Sequence, residues 1–83
     1  MSWRIIIKQN AEKNLQKIPA EYRQKVYRAL FAIGKDPFSG KKLQGEYEGY
    51  HGARVWPYRI IYKIYPHMSL IDIVYIRHRQ GAY

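Results

Sequence analysis

The sequence predicts an α+β fold of order β-α-α-β-β-β, a helical hairpin packed on one face of a small, mainly antiparallel four-stranded sheet. Three observations predict it. Residues 58–65 and 73–83 read as β-strands, rich in Ile, Val and Tyr with polar residues spaced between them. Residues 11–33 carry two apolar stripes of helical period, separated by Pro19. Both strands alternate apolar and cationic positions, so one sheet face suits a helical cover and the other suits water or an anionic partner.

The elements follow in order. Residues 3–8 form a short strand with Trp3, Ile5 and Ile7 on one face and Arg4, Ile6 and Lys8 on the other. Asn10 is positioned as the N-cap of the first helix, whose stripe is Ala11, Leu15 and Ile18. Pro19 ends that helix and opens the next, which buries Tyr22, Val26, Ala29, Leu30 and Ile33 and stops at Gly34 before Pro37. Residues 35–52 read as a long loop, punctuated by Asp36-Pro37, Ser39-Gly40, Gly45, Gly49 and Gly52. A strand resumes near Ala53-Arg54-Val55, turns at Trp56-Pro57, and turns again at residues 66–69, giving a three-stranded antiparallel meander. Ile60, Tyr62, Ile64, Val74 and Ile76 are expected under the helices. Arg59, Ile61, Lys63, Tyr75, Arg77 and Arg79 are expected on the opposite face. Asp72 falls on the core parity, which places it at an open strand end or at a bulge.

Eighty-three residues provide one domain, 1–83, and the 47% apolar content argues against disorder. Fifteen Lys and Arg face six Asp and Glu, a formal charge of +9. Such a field on so small a chain favours an anionic partner: nucleic acid, a ribosome, an acidic protein segment or a membrane surface. Nine Tyr and two Trp accompany it. With no cysteine there is no disulfide framework and no thiolate metal site, which favours the cytoplasm. No membrane span and no targeting segment is expected.

The helical hairpin, the Asp36-Pro37 turn, the Lys41-Lys42-Leu43-Gln44-Gly45 loop, the Tyr58-Arg59-Ile60-Ile61-Tyr62 strand and the terminal His78-Arg79-Gln80-Gly81-Ala82-Tyr83 together resemble the RelE/ParE toxin superfamily. The resemblance spans nearly the whole chain. It implies the toxin of a type II toxin–antitoxin system, silenced in a hetero-oligomer by a RelB-like, acidic and helical antitoxin. RelE-like members cut mRNA in the ribosomal A site through attack of the 2′-OH. ParE-like members poison DNA gyrase, and a non-cleaving RNA- or ribosome-binding module is a further alternative on the same fold.

Cleavage of this kind needs a deprotonated 2′-OH, a stabilised phosphorane and a proton for the departing 5′-oxygen. Arg59 and Arg79 match positions with this role in RelE-like enzymes, and they share a face by strand parity. The resemblance gives Tyr83 a part in base stacking or proton chemistry. Lysines that the family carries seven and nine positions before Arg59 are here Gly52 and Tyr50, while Arg54 matches a common family cation. The general base is therefore open among His51, Arg54 acting electrostatically, and a loop lysine, Lys41 or Lys42. Lys41, Lys42, Lys63, Arg77 and Tyr50 are candidate RNA contacts. Tyr62 is expected in the core, His78 as a structural histidine on the core parity, and Lys13, Lys17, Arg23, Lys25 and Arg28 on a solvated helix face. No metal and no cofactor is expected.

Overall fold

A computed structural model describes residues 3–79. β1 (Arg4–Ile7) leads into α1 (Gln9–Lys17) and α2 (Ala20–Lys35). A 3-10 turn at Pro37–Ser39 precedes β2 (Lys41–Lys42), and a second at Gly45–Tyr47 precedes β3 (His51–Val55). β4 (Tyr58–Tyr65) and β5 (Leu70–His78) follow, joined by a third such turn at Pro66–Met68. Among the described residues the sheet has five strands, in the order β1-β5-β4-β3-β2. β1 runs parallel to β5, and the other pairs are antiparallel. The expected fold class holds with one more strand: two lysines of the supposed loop pair with Gly52 and His51.

The helices cover one sheet face. Ala11, Leu15 and Ile18 of the α1 stripe and Val26, Leu30 and Ile33 of α2 are buried against Ile60, Tyr62, Ile71, Ile73 and Ile76. Three details of the helices differ from expectation. α1 begins at Gln9 after an N-cap at Lys8, so Asn10 lies inside it. α2 runs through Gly34 to Lys35; a Cβ at Gly34 would stand 3.0 Å from Ile5 Cδ1, so this glycine permits close helix–strand approach. Arg23 does not join a solvated face. Its Nε and Nη2 donate to the Ile18 carbonyl at 3.2 and 3.0 Å, which caps α1 where Pro19 interrupts the backbone ladder.

The larger correction lies in β5. Ile61 faces Tyr75, yet its neighbour Tyr62 faces Ile73, so Val74 is the extra residue of a β-bulge. Strict alternation from Ile76 would bury Val74 and Asp72. The bulge reverses parity there, burying Ile71 and Ile73 completely and placing Asp72 opposite Lys63 on the other face. Sinking a carboxylate beneath the helices would cost far more than one unpaired ladder position. Past the end of β1, α1 serves the exposed edge of β5: Asn14 Oδ1 accepts the Ile76 N–H at 3.0 Å.

Tyr62 is fully buried as expected, and its hydroxyl donates to the Pro37 carbonyl at 2.7 Å. This bond ties the turn after α2 to the middle of the sheet. Gly40 follows immediately, and any Cβ there would fall on the Tyr62 hydroxyl. Burial pushes the Tyr62 phenol above its ordinary pKa. No helix among the described residues is long and apolar enough to cross a membrane.

Candidate nucleic-acid interface

The face away from the helices carries a row of arginines. Arg54, Arg59 and Arg77 occupy β3, β4 and β5 and are directly opposed, Arg54 to Arg59 and Arg59 to Arg77. Directly opposed side chains in antiparallel pairs have Cβ atoms roughly 4.5–5.5 Å apart. Like charges carried on such neighbouring stems repel, by on the order of 1 kcal/mol where they come within about 4 Å in a water-like dielectric. An anion seated over the row removes that repulsion and adds charge-assisted hydrogen bonds.

Arg77 is held by an aromatic ring: its guanidinium carbon lies 4.2 Å from the Tyr75 centroid. Tyr75 meets Tyr47 edge-on at 6.3 Å, and Tyr47 meets Tyr50 in the same way. Lys63 stands 5.5 Å from the centroids of both Tyr50 and Tyr65. Cations and tyrosines thus alternate across the open face, the composition that binds backbone phosphates and stacks bases.

Arg59 is the hub. It lines one cleft with Lys41, Gly52 and Arg54, of about 520 Å³. It lines a second with Lys41, Lys42, Leu43 and Tyr47, of about 310 Å³. A third, of about 270 Å³, is formed with Arg54, Trp56, Tyr58 and Arg79. Lys41 reaches this face because β2 pairs with β3 and sets Lys41 opposite Gly52. Gly52 stands where the family pattern expects a lysine. A Cβ there would lie 3.1 Å from Leu43 Cδ2 and 3.3 Å from Arg59 Cδ, so the missing side chain makes room for the 43–50 loop and the Arg59 stem. That loop closes through the Leu43 N–H, which donates to the Tyr50 carbonyl at 2.9 Å; Gly45 and Gly49 take φ of 72° and 92° in its turns.

The structure divides the candidate residues. Arg54, Arg59, Arg77, Lys41, Lys63 and Tyr50 share the open face, and Arg79 joins it at the β3–β4 hairpin tip, where its guanidinium lies over Trp56 at 4.6 Å. Lys42 has the opposite strand parity, paired with His51, yet it still lines the second Arg59 cleft at the sheet edge. His51 is parted from the arginine row by the sheet itself. Its ring stacks on Tyr62 at 5.7 Å and lies edge-on to Phe38, among the aromatics under the helical side. His78 has the helix-side parity but is exposed, with its ring edge-on to Tyr58. Tyr83 lies outside the described residues. Trp56, Tyr47, Tyr50, Tyr58 and Tyr65 are the aromatics whose sequence context allows base stacking or partly buried packing; Tyr75 is the site aromatic that sequence reading left without such a role, and its place two residues before Arg77 on one strand face was the available signal.

Burial, reinforced by the nearby Lys42 charge, holds the His51 imidazole below its ordinary pKa. The unfolded chain therefore binds the proton more readily than the folded one. Stability is fully present above about pH 6.5 and is lost as pH falls from there through the lower folded value. Urea unfolding at pH 7.5 and 5.5 is expected to show this loss, and His51→Gln to reduce it. An identical pH response in the variant would contradict the assignment.

A row of opposed arginines, flanked by tyrosines and backed by a helical hairpin, gives this small α+β protein one strongly cationic open face. The chain belongs to the family described as ParE toxin of type II toxin–antitoxin system, parDE, whose model matches residues 5–83. It is 26% identical over 83 residues to Toxin RelE of Mycobacterium tuberculosis, covering 98% of this chain and 86% of that protein. Its fold is similar to a chain of the RelBE2 toxin–antitoxin complex from the same organism, with a TM-score of 0.87 at 26% identity over 95% of this chain and 100% of that one. The isolated RelE toxin of E. coli shares the fold at 14% identity, with a TM-score of 0.80 over 96% of this chain and 87% of that one.

Proposed function

We propose that this toxin is a ribosome-dependent mRNA endonuclease, cutting mRNA in the ribosomal A site by attack of a ribose 2′-OH on the adjacent phosphorus. The observation that carries the reading is the register Arg54–Arg59–Arg77, which aligns three arginine side chains across neighbouring strands of an open face. In this reaction the 2′-oxygen bonds to phosphorus, the 5′-oxygen departs with a proton, and negative charge builds on the phosphorane between. Arg59 stabilises that charge from the centre of the row, with Arg54, Arg77 and Arg79 around it. Arg54 favours the 2′-alkoxide electrostatically, and the proton of the 2′-OH leaves to solvent water. Lys41, which shares two clefts with Arg59, supplies the proton to the 5′-oxygen. His51, stacked on Tyr62 across the sheet, takes no part, and Tyr83 keeps the stacking or proton role that the family resemblance gives it.

The partner in the resting state is a cognate antitoxin; the RelBE2 complex, in which a similar chain is part of a toxin–antitoxin assembly, supports this. The test of activity is in-vitro translation of a defined mRNA with the purified protein, followed by primer extension. Breaks confined to A-site codons and absent without ribosomes are expected. Intact mRNA and unaffected translation would defeat the reading. They would favour the second one, inhibition of DNA gyrase, which the match to the ParE family and the presence of Tyr50 and Gly52 in place of lysines support; a supercoiling assay decides it.

Association with ribosomes is expected to be steeply salt-dependent. Neutralising four phosphates with Arg54, Arg59, Arg77 and Arg79 predicts a roughly 50-fold loss of affinity between 50 and 200 mM salt. Cosedimentation across that range measures it, and a flat response would point to a protein–protein mode.

A further inference from the structure

Trp56 has no part in the phosphate chemistry assigned to the arginine row. It sits in the link between β3 and β4, and 67% of its surface is open to solvent. A large apolar ring exposed to that extent gains little from burial, so its place invites a contact from outside. The ring is nevertheless held. The Arg79 guanidinium lies over it, 4.6 Å from the centroid, and the Arg79 N–H donates to the Pro57 carbonyl at 2.8 Å. The end of β5 and the hairpin tip are thereby joined, and the indole keeps a set orientation beside the row. Next to it lies the cavity of about 270 Å³ that Trp56 and Arg79 line together with Arg54 and Arg59.

That cavity brings three arginines and an indole together in its lining. A bare phosphate has no use for the indole, and an apolar protein side chain has no use for three guanidinium groups. A nucleotide uses both, its phosphate on the forks and its base on the ring. We propose that Trp56 is the stacking platform for one unpaired nucleobase of single-stranded RNA, next to the phosphate held by Arg54 and Arg59, with Arg79 fixing the indole plane. The inference rests on the RNA reading of the row. Stacking accepts any base, so Trp56 contributes affinity and positioning and leaves the choice of sequence to other contacts.

The chain has two tryptophans, and Trp3 packs edge-on to Phe38 at the helical side, so a Trp3→Phe parent leaves Trp56 as the only indole. Its fluorescence is to be followed while adding a short 2′-O-methylated RNA, which cannot be cut, and an abasic oligonucleotide of equal length. The RNA is expected to quench the indole and the abasic strand to leave it bright. Trp56→Ala in that parent is expected to bind the RNA about 5- to 150-fold more weakly, the abasic strand unchanged, and Trp56→Phe to keep most of the affinity. Equal binding of the two strands by the parent, or undiminished RNA binding by Trp56→Ala, would overturn the proposal. Base-dependent quenching beside intact mRNA on ribosomes would leave the platform standing and remove the nuclease. Cut mRNA with no effect of Trp56→Ala would remove the platform alone.

Discussion

Arg59→Ala is expected to lower ribosome-dependent cleavage by about 10²–10³-fold, the usual consequence of deleting one preorganised donor to a developing oxyanion. The fold is expected to survive. Arg59 is half-buried on the face away from the helices, and its β-strand neighbours Ile60 and Ile61 supply the buried contacts. Arg59→Lys separates charge from geometry. A lysine keeps the cation but not the planar fork, so its activity should fall between the parent and Arg59→Ala. Circular dichroism and urea midpoints accompany the primer-extension assay. A folded Arg59→Ala protein that still cuts at the parental rate would remove the row from the mechanism.

The largest stability effect is expected at Tyr62. Tyr62→Ala empties a fully buried aromatic site in the middle of the sheet and should cost about 3–5 kcal/mol. A chain of this length has a total stability of roughly 4–12 kcal/mol, so the variant stands near unfolding at 25 °C. Tyr62→Phe keeps the ring and removes only the donor to the Pro37 carbonyl, at about 1–3 kcal/mol. Thermal melts distinguish the two, since 1 kcal/mol shifts Tm by about 4–8 °C at this size. Because the lost bond anchors the turn that leads into β2, Tyr62→Phe should also loosen Lys41 and slow cleavage more than a 1–3 kcal/mol stability loss explains. Parental activity in Tyr62→Phe would show that Lys41 is placed without that bond.

Both expectations rest on residues that alternate along β4: Arg59 outward, Ile60 inward, Tyr62 inward. That pattern was legible because a strand's side chains change face at every step, whatever lies around it. The helical stripes were legible for the same reason. The bulge at Val74 was not. It arises from a contest between burying Asp72 and breaking one ladder position, and only the pairing of Tyr62 with Ile73 shows which won. His51 was the most attractive proton carrier in the sequence because an imidazole titrates near neutrality. Its register opposite Tyr62 puts it on the wrong side of the sheet from Arg59. Gly52 read as a missing lysine; in three dimensions it is the space that Leu43 and the Arg59 stem occupy.

The sequence by itself determined the order of the two helices and the four longer strands, the faces of the two helices, the excess of cationic side chains and the outward direction of Arg59 and Arg77. All of these follow from local period or from composition, which need no partner strand. The tertiary structure decided the fifth strand, the parity change in β5, the alignment of Arg54, Arg59 and Arg77 into one row, and the seating of Arg79 on Trp56. These depend on register between segments far apart in the chain. A one-residue shift in pairing turns every side chain to the opposite face, so register is settled by which total arrangement buries the apolar residues and leaves the charges in water.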